Sequence, residues 1–259
     1  MTVLGEISKG LLTGVAAGFC SGLLGVSPGG ILVPVISLTL QFPQRLAQAV
    51  SLVAQAPPTS LSGISSYATS GHRTPLKSVA VFACGFVIGG PLGAAFAARF
   101  TDHQLRWMFV SYLLLLTFLS AIRKTKSSVA PCERATFQNV NWPGLAIIGA
   151  ISGMSSGLLG IGGGLAITAL SVLFLRMSQH QAQALSLMMT ALPLTLPAAW
   201  VYVRHGSHLP WWAIAGMLTG LIAGSKLGSI VANRLPERNL RFVFIALILA
   251  LAIYMAVTA

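Results

Sequence analysis

Apolar residues fall in long blocks separated by short polar turns. The first block covers residues 8–40, and Leu46–Ala68, Val79–Ala98 and Leu105–Ile122 follow. A helix needs about 20 apolar residues to cross a bilayer, so each of the last three predicts one transmembrane helix. The first block is too long for one ordinary crossing. It is also interrupted by Gly22-Leu23-Leu24-Gly25-Val26-Ser27-Pro28-Gly29-Gly30. Glycine lacks the Cβ that restrains a helix, and proline lacks the N–H and clashes with the preceding turn. The pattern therefore predicts two arms, Gly10–Leu24 and Gly29–Leu40, meeting at an irregular turn inside the membrane. Irregular backbone at that depth is tolerated where protein buries it or where it lines a cavity. That makes the turn the first candidate for a substrate site.

A polar, aperiodic segment, Arg123–Trp142, reads as a linker (123–142) between a first transmembrane repeat (1–122) and a second (143–259). The second block repeats the first at a constant offset of 135 residues. Gly14, Gly18, Ser21 and Gly22 return as Gly149, Gly153, Ser156 and Gly157, and Gln44, Gln48 and Ser51 return as Gln179, Gln183 and Ser186. The interrupted stretch itself returns as Gly157-Leu158-Leu159-Gly160-Ile161-Gly162-Gly163-Gly164. About a third of positions match over roughly 100 residues. This is an internal duplication, of the kind transporters carry.

Composition fixes the class. Of 259 residues, 55% are hydrophobic and 8% charged, and mean hydropathy is +0.81. That describes an all-α polytopic membrane protein whose surroundings are the lipid bilayer. A net charge of +12 would suggest nucleic acid in a soluble protein. Here the basic residues sit in loops and report topology, so no nucleic-acid partner is expected. Glu6 and Lys9 followed by apolar sequence without a small-residue cleavage site argue against a removed signal peptide.

Loop charges also distinguish two topologies. If each interrupted block crosses once, the halves are parallel and the basic residues divide evenly. If each is a hairpin returning to its own side, every half has a broken, re-entrant hairpin plus three transmembrane helices, and the halves are inverted repeats. One side then holds Lys9, Arg45, Arg99, Arg106 and Arg204, and the other holds Arg73, Lys77, Arg123, Lys124, Lys126, Arg134, Arg176, Arg234, Arg238 and Arg241. The second arrangement has the asymmetry of the positive-inside rule. It puts the linker in the cytoplasm and both termini outside it.

The candidate chemistry is anion binding without catalysis. A helix starting mid-membrane presents unpaired N–H groups and a positive dipole end. Two such starts would make an anion site from Gly25, Ser27, Pro28, Gly29 and Gly30 in one half and Gly160, Gly162, Gly163 and Gly164 in the other. The bland alternative for these glycines is close helix packing, which the series Gly14-Gly18-Gly22 and Gly216-Gly220-Gly224-Gly228 surely serve. Gln44, Gln48 and Ser51 share a helix face, as do Gln179, Gln183 and Ser186, and they suit either an oxoanion or interhelical hydrogen bonds. Lys226, inside an apolar span, either attracts the anion or snorkels to the surface. Glu6, Asp102, Glu133 and Glu237 lie near termini or loops, so no carboxylate proton relay is expected. Nothing has metal-ligand spacing or a Walker A loop, and no catalytic residue, metal or cofactor is expected.

The doubled Gly-Leu-Leu-Gly-Ile-Gly-Gly-Gly pattern, followed by an apolar arm and Ala-x-Ser-Leu, resembles the sulfite exporter TauE/SafE family of membrane permeases. Ser27-Pro28-Gly29 in the first copy, and Ala169 at a position where the first copy has Pro34, depart from it. The resemblance implies a bacterial-type inner-membrane carrier for a small sulfur-containing anion such as sulfite, sulfoacetate or a related organosulfonate. Joined to the reading of the two turns, it gives the expectation of a secondary transporter or facilitator working through a midplane site between them. An anion channel with the same site, or a permease for a non-sulfur anion, is the alternative. A homodimer through the GxxxG faces is also open.

Overall fold

Glycines at every fourth position decide how the long helices meet. The computed structural model describes residues 3–24, 27–57, 76–122, 142–174, 185–186, 188–190, 192–205, 209–232 and 237–257. In the first half the helices are α1 (Val3–Leu24), α2 (Gly29–Leu40), α3 (Gln44–Ala54), α4 (Leu76–Ala97) and α5 (Asp102–Ile122). In the second they are α6 (Trp142–Leu159), α7 (Gly164–Phe174), α8 (Leu196–Arg204), α9 (Trp211–Ala232) and α10 (Glu237–Val257). The protein is all-helical over these residues. Among them Lys77–Ala97, Trp142–Leu159 and Trp211–Val231 are long and apolar enough to cross a membrane.

One face of α1 carries Gly10, Gly14, Gly18 and Gly22. Each lies against the backbone of α9, at Ala213, Met217, Leu221 and Ser225 in turn. Gly216, Gly220, Gly224 and Gly228 of α9 return the contact at Ile7, Leu11, Val15 and Phe19. A Cβ at any of these eight positions would overlap main-chain atoms of the other helix, so the helices touch backbone to backbone. Both sets of numbers rise together, so α1 and α9 run in the same direction.

The same interface occurs a second time. Gly149, Gly153 and Gly157 of α6 meet Phe82, Phe86 and Gly90 of α4, and Gly85, Gly89 and Gly93 meet Ala146, Ala150 and Met154. Every pair is a first-interface pair displaced by 135 in each partner. Duplication in the sequence has thus become duplication of a contact, and each contact joins one half to the other. These GxxxG faces are consumed within the chain.

The interrupted first block folds as two arms with bounds Val3–Leu24 and Gly29–Leu40. Thr13 and Thr39 join their hydroxyls at 2.7 Å. The two threonines are nearly equidistant from the turn between the arms, so α2 doubles back along α1. At 12 residues α2 is about 18 Å long, well short of a membrane's hydrocarbon thickness. Its residues from Gly29 to Ser37 are all buried, which suits a helix apolar all round. In the second half α7 is likewise short, at 11 residues. Leu145 and Ile148 of α6 share a buried cluster with Ile167 of α7 and with Phe82 and Phe86 of α4.

The expected span Leu46–Ala68 is helical from Gln44 to Ala54 only within the described residues. Its last turn tightens, with the Ala56 N–H donating to Val53 O at 3.1 Å. Pro57 follows, and a proline disfavours helical geometry in the residue before it. Residues 58–75, and 123–141 of the linker, lie outside the described residues. The start of α3 is tied to the loop after α4. The Arg45 N–H donates to Asp102 Oδ1 at 2.9 Å, and the Arg45 guanidinium donates to Phe100 O.

Candidate functional site

The second turn owes its path to glycine. Gly160, Gly162 and Gly163 hold φ of 69°, 68° and 83°, in the left-handed region that costs other residues about 1–2 kcal/mol each. The chain thereby leaves α6 and starts α7 within four residues. At the first turn Pro28 sets φ at −62° and precedes α2 without a side-chain cap. Its carbonyl accepts from the N–H groups of Ile31 and Leu32 at 3.0 and 2.7 Å. Gly30 is buried in the opening turn of α2.

The two turns touch. Gly29 lies against the carbonyl of Ile161, and Gly164 lies against the side chain of Ser27. Polar groups of α3 pack around this junction. Gly160 sits against Gln48, with space for a Cβ only 2.7 Å from the Gln48 Cα. The Ser51 hydroxyl donates to Gly160 O at 2.8 Å. Gly162 faces the Gln55 side chain. Gln55 Nε2 donates to Ser51 O at 2.9 Å and to Ser51 Oγ at 2.8 Å, while its Oε1 accepts from Ser27 Oγ at 3.4 Å. From the other half, Ser186 donates to Gly164 O at 3.0 Å. Gly163 is closed off by the Phe86 ring.

The junction therefore gathers Ser27, Gly29, Gln48, Ser51, Gly160, Gly162, Gly164 and Ser186 from the residues singled out in the sequence. Gly25 and Gln183 lie outside the described residues. Lys226 is exposed on α9, beside Ser225, which packs on Gly22.

Three further residues belong to the cluster. Gln55 is 6% exposed and links Ser51 to Ser27. It continues the spacing Gln44, Gln48, Ser51 by one more step of four, so the helical period pointed to it. Tyr202 of α8 is buried; its hydroxyl lies 2.8 Å from Gly157 O and 3.0 Å from Gln48 Oε1. Thr195 donates to Leu52 O at 2.9 Å. These last two act across more than 140 residues of sequence, and nothing local marks them.

Buried side chains rich in hydroxyls and amides, set beside two helix starts, can hold a small polar solute by hydrogen bonds. The chain's relatives agree with a transport role. A probable membrane transporter protein of Xylella fastidiosa is 26% identical over 251 residues, covering 96% of this chain and 92% of the relative. The probable membrane transporter protein YunE of Bacillus subtilis is 34% identical over 111 residues, which is 43% of this chain and 40% of YunE. A probable membrane transporter protein of Methanocaldococcus jannaschii is 28% identical over 111 residues, or 40% of this chain and 41% of that protein. No solved structure matches the chain. The family model described as sulfite exporter TauE/SafE matches residues 10–255. That match takes in both repeats and both glycine-rich turns, and the chain belongs to the sulfite exporter TauE/SafE family.

Proposed function

We propose that this membrane transporter moves a small sulfur-containing anion across the cytoplasmic (inner) membrane by a secondary mechanism, through the junction of the two turns. The observation that carries this reading is the direct contact of the turns beside the buried side chains of Gln48, Ser51, Gln55 and Ser186 and the half-buried Ser27. Each turn delivers the N-terminus of a short helix, whose first N–H groups and positive dipole end favour an anion. The hydroxyls of Ser27, Ser51 and Ser186 and the Gln55 amide brace the two turns, and Gln48 Nε2 is left as an unpaired donor for sulfite or a sulfonate. The sulfur specificity rests on the family's description.

In this reading the halves are inverted repeats and the hairpins enter from opposite sides. Three contacts support it. Thr13 meets Thr39, so the first hairpin ends on the side where it began. Arg45 meets Phe100 and Asp102, so α4 ends on that same side and α1 is antiparallel to α4. The glycine register makes α1 parallel to α9. It follows that α4 and α9, equivalent helices of the two repeats, run oppositely. Fewer basic residues collect on the side where α1 begins, so that side is taken as external and the linker as cytoplasmic. Lys226 then lies toward the cytoplasmic end of α9, where its exposed side chain snorkels to the surface.

Purified protein in liposomes loaded with unlabelled anions tests the reading. Labelled sulfite should enter by saturable counterflow, compete with sulfonates, and be unaffected by Lys226→Ala. Conductance without saturation would replace the carrier with a channel. Uptake of a carboxylate, with no sulfur anion moving, would remove the substrate class.

A further inference from the structure

The polar face of α3 continues past the turns toward the start of the helix. Gln44 opens α3, is 0% exposed, and has neither amide atom hydrogen-bonded. Gln48, one turn on, is equally buried; its Oε1 shares the single Tyr202 hydroxyl hydrogen with Gly157 O, and its Nε2 has no partner. Arg45 stands between them. Its guanidinium donates to Phe100 O, its backbone N–H donates to Asp102 Oδ1, and its Nε is buried without a partner.

Unpaired buried polar groups are rare and cost about 1–3 kcal/mol each. Three side chains carrying them within one turn of one helix point to a ligand that pairs them. Three unpaired nitrogens, on Gln44, Arg45 and Gln48, are N–H donors, one of them on a permanent cation, against a single unpaired acceptor, Gln44 Oε1. Asp102 is exposed and engaged with the main chain. Such a donor set accepts an anion bearing oxygens and repels a cation. Gln44 lies about 10 Å along the helix from Ser51. Gln48 touches both regions, because Gly160 packs on it.

We propose that Gln44, Arg45, Gln48 and Tyr202 form a second site for a small oxoanion, adjoining the junction of the turns on the side of the membrane where α3 begins. The site rests on the transport reading for its purpose: an anion waits there before or after occupying the junction, with Gln48 shared between the two positions. Its ligand chemistry stands on the residues themselves.

The test separates the two ideas. Wild type, Gln44→Leu, Arg45→Gln and Arg45→Lys are placed in lipid nanodiscs. Their Tm is followed against sodium sulfite, nitrate, phosphate and acetate at constant ionic strength, and labelled-sulfite counterflow is measured separately. Leucine replaces an unpaired amide with an apolar group of similar size, so Gln44→Leu alone should keep or raise Tm. It should also weaken stabilisation by an oxoanion about tenfold in apparent affinity. Arg45→Gln should do the same and Arg45→Lys less. Oxoanion stabilisation that is absent from wild type, or equal in all four proteins, overturns the second site. A fall in Tm of Gln44→Leu without any anion overturns it too, since the amide would then be a structural strut. If oxoanions stabilise wild type but not Gln44→Leu while no sulfite is exchanged, the second site stands and the sulfite reading falls.

Discussion

Gly160 and Gly162 have nearly the same φ, yet a methyl group at each meets a different obstacle. At Gly160 it meets the Cα of Gln48, 2.7 Å away, which can move only with α3. At Gly162 it meets the end of the Gln55 side chain, which can swing away. Both substitutions incur the left-handed penalty of about 1–2 kcal/mol. We expect Gly160→Ala to lower Tm more than Gly162→Ala. Gly162→Ala should instead lose more transport per folded molecule, because displacing Gln55 frees Ser27 and Ser51. Thermal unfolding and counterflow on the same preparations give the two rankings, and a reversed order in either would reject the account. At this scale the sequence was most readable where chemistry is local. A glycine run marks a turn, and the spacing Gln44, Gln48, Ser51 marks a face on which Gln55 is the next member. Tyr202 was not readable, because its partners Gln48 and Gly157 are near it only after the halves have come together.

The helices extend the lesson. Where a glycine contacts backbone, its replacement separates two helices; where it does not, replacement only improves the helix. Gly14 and Gly149 are equivalent by the repeat and face Met217 and Phe82 main-chain atoms alike. Gly14→Val and Gly149→Val should therefore lower Tm by similar, large amounts. Gly90 has the Ala198 Cβ as nearest neighbour at 3.5 Å, an ordinary contact. Gly90→Ala should hold or raise Tm, since alanine is favoured over glycine in a helix by about 1 kcal/mol. A fall in Tm for Gly90→Ala would show that the helices pack more tightly there than described. The arms Gly10–Leu24 and Gly29–Leu40 were legible as helices because a break in an apolar block has a length on each side. That α1 rests on α9 was not, since a GxxxG face states that something comes close without stating which helix it is.

In the whole molecule, the two repeats are interlaced, with α1 on α9 and α6 on α4. Residues 1–122 produced alone lack the partner for α1, and residues 143–259 alone lack the partner for α6. Co-expressed, the two pieces should assemble into a complex that co-purifies and exchanges anion, whereas either piece by itself should be degraded. Active single halves would contradict the interlaced arrangement. The inverted topology proposed above has its own check: a reporter fused to the C-terminus should report the external side, and one placed within the linker the cytoplasm. The duplication and the hydropathy together made this scale readable, since each accumulates over many residues.

Interlacing also imposes an order on synthesis. Gly10 to Gly22 leave the ribosome about 200 residues ahead of the stretch that covers them, a wait of about 10–40 s at ordinary elongation rates. Throughout that interval the glycine stripe of α1 faces lipid or whatever protein accompanies it during insertion. A newborn chain thus passes through a stage with its helices inserted and its earliest one unmatched. A quality-control protease or an insertion chaperone would meet it there, and slowing translation anywhere between α1 and α9 would lengthen the exposure.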